Sequence, residues 1–263
     1  MLVLIHSSKV MRSAPRPDGP LTRPALLDRA EELAAYLKTL SPPQLAGAME
    51  ISPELAERTH ALLADWTGDP QRQSPAIDSF AGDIYSGLRA CDFSAQDRTY
   101  ALQRLRILSG LYGILRPHDA VAPYRLEMGY RLPDPPFADL YDFWGKDIAE
   151  CLPPGGPILN LAAEEYHRTV TRFLHRTRFI APRFLTVNAK TGTPRFVVVH
   201  AKIARGAFAR WVLTSRVEDP ADLIAFAEIG YRHDPHLSKP RQPTFVCEEF
   251  GGKGLSVRLH EQG

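Results

Sequence analysis

The chain has 263 residues, 44% hydrophobic and 24% charged, a balance that can bury a core and excludes a disordered or fibrous polypeptide. No run reaches the ~20 apolar residues a membrane helix needs. Three scattered cysteines, Cys91, Cys151 and Cys247, make neither a disulfide framework nor a zinc pattern, and MLVLIHSSK lacks the basic flank of a signal peptide, so the expected location is a reducing cytoplasm.

Net charge is only +2, but it is uneven. Residues 1–159 carry 16 Lys/Arg against 20 Asp/Glu, residues 160–216 carry 11 against 2, and residues 217–263 carry 5 against 8. A basic block of +9 inside a near-neutral chain predicts a polyanionic partner, either nucleic acid or a phosphorylated small molecule.

Leu2-Val3-Leu4-Ile5 reads as a buried strand that releases His6, Ser7, Ser8 and Lys9 at its end. Strand ends are common places for sites in folds that combine strands and helices. Residues 10–23 read as a Pro- and Arg-rich loop, and Pro24 to Leu40 as an amphipathic helix. Ser41-Pro42 and Ser52-Pro53 each put a capping hydroxyl before a proline, predicting helices over about 43–50 and 53–66. The glycines of Gly82-Asp83-Ile84-Tyr85-Ser86-Gly87 suggest close packing or a ligand near the backbone.

A helix is expected to start at Ser94 and to run through Tyr100 to Leu108. Gly110 and Gly113 follow, then Arg116-Pro117 as a stop, then Tyr124-Arg125-Leu126-Glu127 in a loop. Three arginines, Arg106, Arg116 and Arg125, in a Gly- and Pro-punctuated segment fit either a phosphate-binding turn or an ordinary helix-turn with solvated arginines. Further on, Phe137 to Lys146 reads as an aromatic helix whose Phe137, Tyr141 and Trp144 belong to the core. Ile158 to Ala162 is a second buried strand leading into Glu164-Glu165-Tyr166. Phe179 to Val187 and Arg195 to His200 are expected to form a hairpin, and Ile203 to Arg216 a helix. Lys202 and Arg205, three apart, can share one helix face and hold one phosphate. Pro220 to Phe226 is expected as a short helix, His233 to His236 as surface loop, and Thr244 to Phe250 with Leu255 to Leu259 as a terminal hairpin. No metal site is expected, no cofactor is indicated, and no hydrolase, NTPase or dehydrogenase signature is present.

These pieces together resemble the YaaA-like peroxide-stress proteins over nearly the whole chain. The matching residues are Lys9, Gly82 to Leu88, Leu105 to Pro117, Pro123 to Gly129, Phe143-Trp144-Gly145, Asn160-Leu161-Ala162 with Glu165-Tyr166, and Ala201-Lys202 with Ala204-Arg205-Gly206. The resemblance implies one compact α+β domain over residues 1–263, a mixed sheet with flanking helices, and a positively charged cleft. It also implies a helix-hairpin-helix-like element around Ser109 to Gly113, affinity for double-stranded DNA, and a cytoplasmic role against oxidative damage linked to iron. Where the family has Ser-Pro-Ala-Lys, this chain has His6-Ser7-Ser8-Lys9.

Two functions follow. In the first, the chain is a protective DNA binder whose contacts are mainly to phosphate, through Arg106, Gly110, Gly113, Arg116, Tyr124, Arg125, Lys202 and Arg205. In the second, it is an enzyme on a nucleotide, nucleobase or other anionic small molecule. Lys9 is then nucleophile or clamp, His6 general base and Ser8 its orienting group, with the arginines holding the anion. Asp83, Glu127 and Glu165 read equally as cleft residues or as structural ion-pair partners.

Overall fold

A strand whose run of four apolar residues faces both ways is stable only inside a sheet covered on both sides. The computed structural model, which describes residues 1–12, 20–69, 73–133 and 136–255, puts β1 (Leu2–His6) in that position, buried at every residue. Helices α1 (Leu27–Leu37), α2 (Pro42–Met49), α3 (Pro53–Asp65), α4 (Asp83–Leu88) and α5 (Ala95–Arg104) follow. Next come β2 (Leu105–Ser109), β3 (Gly113–Leu115), α6 (Leu140–Trp144), β4 (Ile158–Asn160), α7 (Glu164–Thr171) and β5 (Phe179–Ile180). The chain continues with β6 (Arg183–Val187), β7 (Pro194–Arg195), α8 (Val198–Thr214), β8 (Tyr231–Lys239) and β9 (Gln242–Cys247).

The main sheet has the order β3-β2-β1-β4-β5, with β2 and β4 both parallel to β1 and β3 antiparallel to β2. A second sheet, β7-β6-β9-β8, packs Phe184 and Phe245 against Phe208 of α8, with Tyr231 edge-on to Phe184. This is the expected α+β class with a mixed sheet.

Local signals place the helix starts. Ser41 forms a capping box with Gln44, the Ser52 hydroxyl accepts the Leu55 amide, and Ser94 boxes with Asp97. Pro42 and Pro53 stand at first helical positions, where no amide is needed.

Several expectations are corrected. The helix through Tyr100 ends at Arg104, because Leu105 to Leu108 satisfies the edge of β1 as a strand, in register from Val3↔Leu105 to His6↔Leu108. Ser109 to Gly113 is consequently a strand–turn–strand hairpin. The second expected hairpin shrinks to Thr186–Val187 against Pro194–Arg195, while Phe179–Ile180 joins the main sheet beside β4. Helix α8 starts at Val198, earlier than the expected Ile203. His233 to His236 lies within β8, which pairs with one edge of β9, while β6 pairs with the other edge over Thr244 to Cys247. Leu255 closes a 3-10 turn, and residues 256–259 lie outside the described residues. Pro220–Ala225 is also 3-10. Within residues 10–23, Val10–Met11 pairs with Phe80–Ala81; residues 13–19 lie outside the described residues.

Candidate functional site

Strand β1 is the point where the main sheet changes direction, since β2 lies on one side and β4 on the other. Connections leaving such a strand diverge and open a crevice at its carboxyl end. His6, Ser7, Ser8 and Lys9 occupy that end.

His6 is 7% exposed, and its Nδ1 accepts the Ala163 amide at 3.1 Å from the loop after β4. Its ring stacks on Tyr166 of α7 at 4.7 Å, and its carbonyl accepts the Tyr85 hydroxyl at 3.0 Å. Burial, with Arg205 and Lys202 nearby, pulls the imidazole down to about 3, so it is neutral at ordinary pH. With Nδ1 accepting, the one ring proton of the neutral imidazole sits on Nε2. The expected general base is thus occupied as an acceptor and offers a donor.

Ser7 is buried, and its hydroxyl meets Tyr124 and Tyr166. The Tyr124 hydroxyl also lies 2.6 Å from Ser109 Oγ, which accepts the Tyr112 amide at 2.9 Å. Burial pushes the Tyr124 phenol up to about 12 and that of Tyr166 well above its ordinary value. Ser8, the expected partner of His6, instead turns its hydroxyl to accept the Val10 amide at 3.2 Å.

Lys9 reaches outward, 47% exposed, with Nζ 2.6 Å from Glu127 Oε2. A second carboxylate, Glu165, stands close by. Burial and the Glu127 charge raise its titration above the usual carboxylate range, against the opposing pull of Lys9, the Gly129 amide and Lys202. Tyr130 lies beside Glu127 and Arg125, its phenol pushed up to about 12 by burial and by the Glu127 charge. The Arg125 Nε is buried without a hydrogen-bond partner.

Helix α8 brings Lys202 and Arg205 to the same pole. Burial alone lowers the Arg205 guanidinium, and no carboxylate pairs with it among the described residues. Arg205 also lines a cavity of about 310 Å³ with Arg183, Phe196 and Gln242.

The expected anion clamp divides in two. Arg125 stands with Glu127 beside Tyr130, Lys202 near Glu165 and His6, and Arg205 near His6 and His167. Arg106 instead folds back toward the start of β2, donating to the carbonyls of Leu102 at 3.1 Å and Leu105 at 2.7 Å, beside Arg116, Asp119 and Cys151. The glycine turn between β2 and β3 is buried too. The Gly110 carbonyl accepts Trp144 Nε1–H at 3.0 Å, and a Cβ on Gly110 would fall 2.5 Å from the Leu126 carbonyl oxygen. Gly113, at φ +68°, abuts the Trp144 ring. These glycines serve close packing, and no phosphate can reach the turn without displacing Trp144 and Leu126.

The basic block is also partly committed. Arg178 donates to the carbonyls of Pro153, Gly155 and Gly156, Arg210 pairs with Glu228, Arg216 with Asp97, and Arg168 lies over the Tyr141 ring. Sequence reasoning named Ser7 at the strand end and Tyr166 in the Glu165-Tyr166 motif without assigning either a site role, and it did not single out Tyr130, three residues after Glu127. Among the described residues, no group of three or more His, Cys, Asp or Glu gathers to hold a metal ion, and no helix is long and apolar enough to cross a membrane.

Residues 1–237 match the family described as peroxide stress protein YaaA. A UPF0246 protein of Salinispora tropica is 73% identical over 263 residues, all of both chains. Another UPF0246 protein, from a Ruegeria species, is 39% identical over 253 residues, covering 94% of this chain and 99% of that relative. With a family match over nine-tenths of its length and relatives this close end to end, the chain belongs to the YaaA peroxide stress protein family.

Proposed function

We propose that this peroxide stress protein binds DNA at the carboxyl pole of β1, with Arg205 and Lys202 holding a phosphate and one nucleotide unit entering beside Lys9, Glu127 and Glu165. The observation that carries this reading is Arg205, a largely buried guanidinium with which no carboxylate pairs among the described residues. A buried cation lacking a protein counter-ion is stabilised by an anionic ligand, and guanidinium geometry suits phosphate. A crevice between strand ends admits one nucleotide more readily than a stacked duplex, so a single strand is the preferred form, and duplex binds where a nucleotide can leave the stack. The Lys9–Glu127–Glu165 group favours a second reading, acid–base chemistry on a free nucleotide or similar small anion in the same crevice.

A salt titration of binding to a short single strand and to its duplex tests the proposal. Arg205→Ala and Lys202→Ala should each weaken binding about ten-fold and reduce the salt slope by about one phosphate contact. Arg106→Ala and Arg116→Ala should change neither. Absence of binding at low salt, or equal sensitivity to all four substitutions, removes the DNA reading; competition by a mononucleotide supports the small-anion one.

A further inference from the structure

The crevice holds more than phosphate binding requires. A lysine amine stands against one carboxylate, a second carboxylate lies beside the first, Lys202 of α8 stands near that second carboxylate, and Arg205 of the same helix lies with Lys202 near His6. Resting on the DNA reading of this pole, we propose that Lys9 attacks the aldehyde of a ring-opened abasic sugar in DNA and cleaves the strand by β-elimination. An abasic sugar is what remains of a nucleotide after its base is lost, and its open form carries the aldehyde at C1′ and the 3′ phosphate two carbons away. It therefore matches an amine and an anion clamp at once.

The step balances without an outside oxidant or reductant. The Lys9 ammonium passes a proton to Glu127, 2.6 Å away. The freed lone pair forms a C–N bond to C1′, the carbonyl oxygen takes up that proton to become a hydroxyl, and Glu127 accepts in its place the extra proton on the nitrogen, which it later releases to water, leaving a neutral carbinolamine. Glu165, whose burial favours the neutral acid, protonates this hydroxyl; water leaves, and the protonated imine forms. Ionised Glu165 then removes a proton from C2′. The electron pair enters a C2′–C3′ double bond as the C3′–O bond breaks, and the departing phosphate monoester is held by Lys202 and Arg205. Water hydrolyses the conjugated imine, which restores the Lys9 ammonium and releases an unsaturated aldehyde. The net change is one diester split into a phosphate monoester and that aldehyde, with one proton released.

The position of Lys9 suits this role. It follows a fully buried central strand, so its backbone is held by the sheet while the side chain stays half-exposed at the crevice mouth. Its exposure also means that substitutions there should leave folding intact.

The experiment uses the full chain with an oligonucleotide carrying one abasic site, with and without sodium borohydride, beside an intact oligonucleotide as the binding control. Borohydride should trap a covalent adduct that peptide mapping places on Lys9. Without borohydride the strand should be cut 3′ to the abasic site. Lys9→Arg should form no adduct and cut at least a hundred-fold more slowly. Glu165→Gln should slow cutting at least ten-fold while its thermal midpoint stays near that of the wild type. Binding of the intact strand without any adduct, or adducts scattered over other lysines, overturns the lyase inference and leaves the binding proposal standing. Failure to bind either strand removes both.

Discussion

Gly87 in α4 and Gly206 in α8 meet backbone to backbone: a Cβ on Gly87 would lie 2.1 Å from the Ile203 carbonyl oxygen, and one on Gly206 only 1.8 Å from that of Ile84. Both added methyls would strike main chain, which cannot rotate aside. The two helices therefore touch at a distance only glycine allows, and this contact sets where α8 presents Lys202 and Arg205. Gly206→Ala should cost about 3 kcal/mol or more by forcing the helices apart, a loss of roughly 6–12 °C in thermal midpoint for a chain of this size. Gly47, inside α2 with nothing within 4 Å of its would-be Cβ, is the control. Gly47→Ala should stabilise by up to ~1 kcal/mol.

Ser109 joins the β2–β3 turn to the crevice through two bonds, one to Tyr124 and one from the Tyr112 amide. Ser109→Ala leaves the Tyr112 amide buried and unpaired and the Tyr124 hydroxyl with Ser7 as its remaining partner, and should cost about 2 kcal/mol, read as a shift in the urea midpoint at constant slope. Tyr124→Phe removes only one partner of the pair and should cost less.

His6 makes stability depend on acid. Its folded titration near 3 lies below the ordinary 6.5, so the unfolded chain binds the proton first as pH falls. The contribution is fully present above about 6.5 and is lost progressively as pH drops toward 3, a few kcal/mol in all. His6→Phe should flatten the pH dependence of the unfolding free energy within that window, while lowering stability at neutral pH through loss of the acceptor for the Ala163 amide.

Glu165 reports on its neighbours. Glu127→Gln removes the negative charge that helps hold the Glu165 proton, so its carboxyl should titrate lower than in the wild type. Lys9→Met removes an opposing positive charge and should move it higher. Carbon-detected NMR of the Glu165 side chain across an acid titration reads both shifts; movement of the two variants in the same direction would contradict the arrangement of charges.

Much of this was written in local sequence. An all-apolar strand, proline-preceded caps at Ser41 and Ser52, and the buried run Ile158 to Asn160 are signals that nearest neighbours suffice to produce. The family's motifs were likewise readable as residues in order, and they led to the correct family. Leu105 to Leu108 was not legible, because leucine and isoleucine at those spacings suit a helix or a buried strand, and the choice fell to the open edge of β1. The glycines at 110 and 113 looked like a phosphate turn because sequence shows that a Cβ is missing but not what fills its place; here it is Leu126 and Trp144.

The sequence by itself determined that a lysine leaves the first strand, that carboxylates and arginines cluster in two later segments, and that α and β elements alternate in one family's order. Only the tertiary structure decided which of those charges meet. Glu127 comes to Lys9 from the loop after β3, and Glu165, Lys202 and Arg205 arrive on two helices, while Arg106 is carried away with the start of β2. The physical reason is that charge pairing acts over a few ångströms, and those distances are set by sheet order and by the Gly87–Gly206 crossing rather than by separation along the chain.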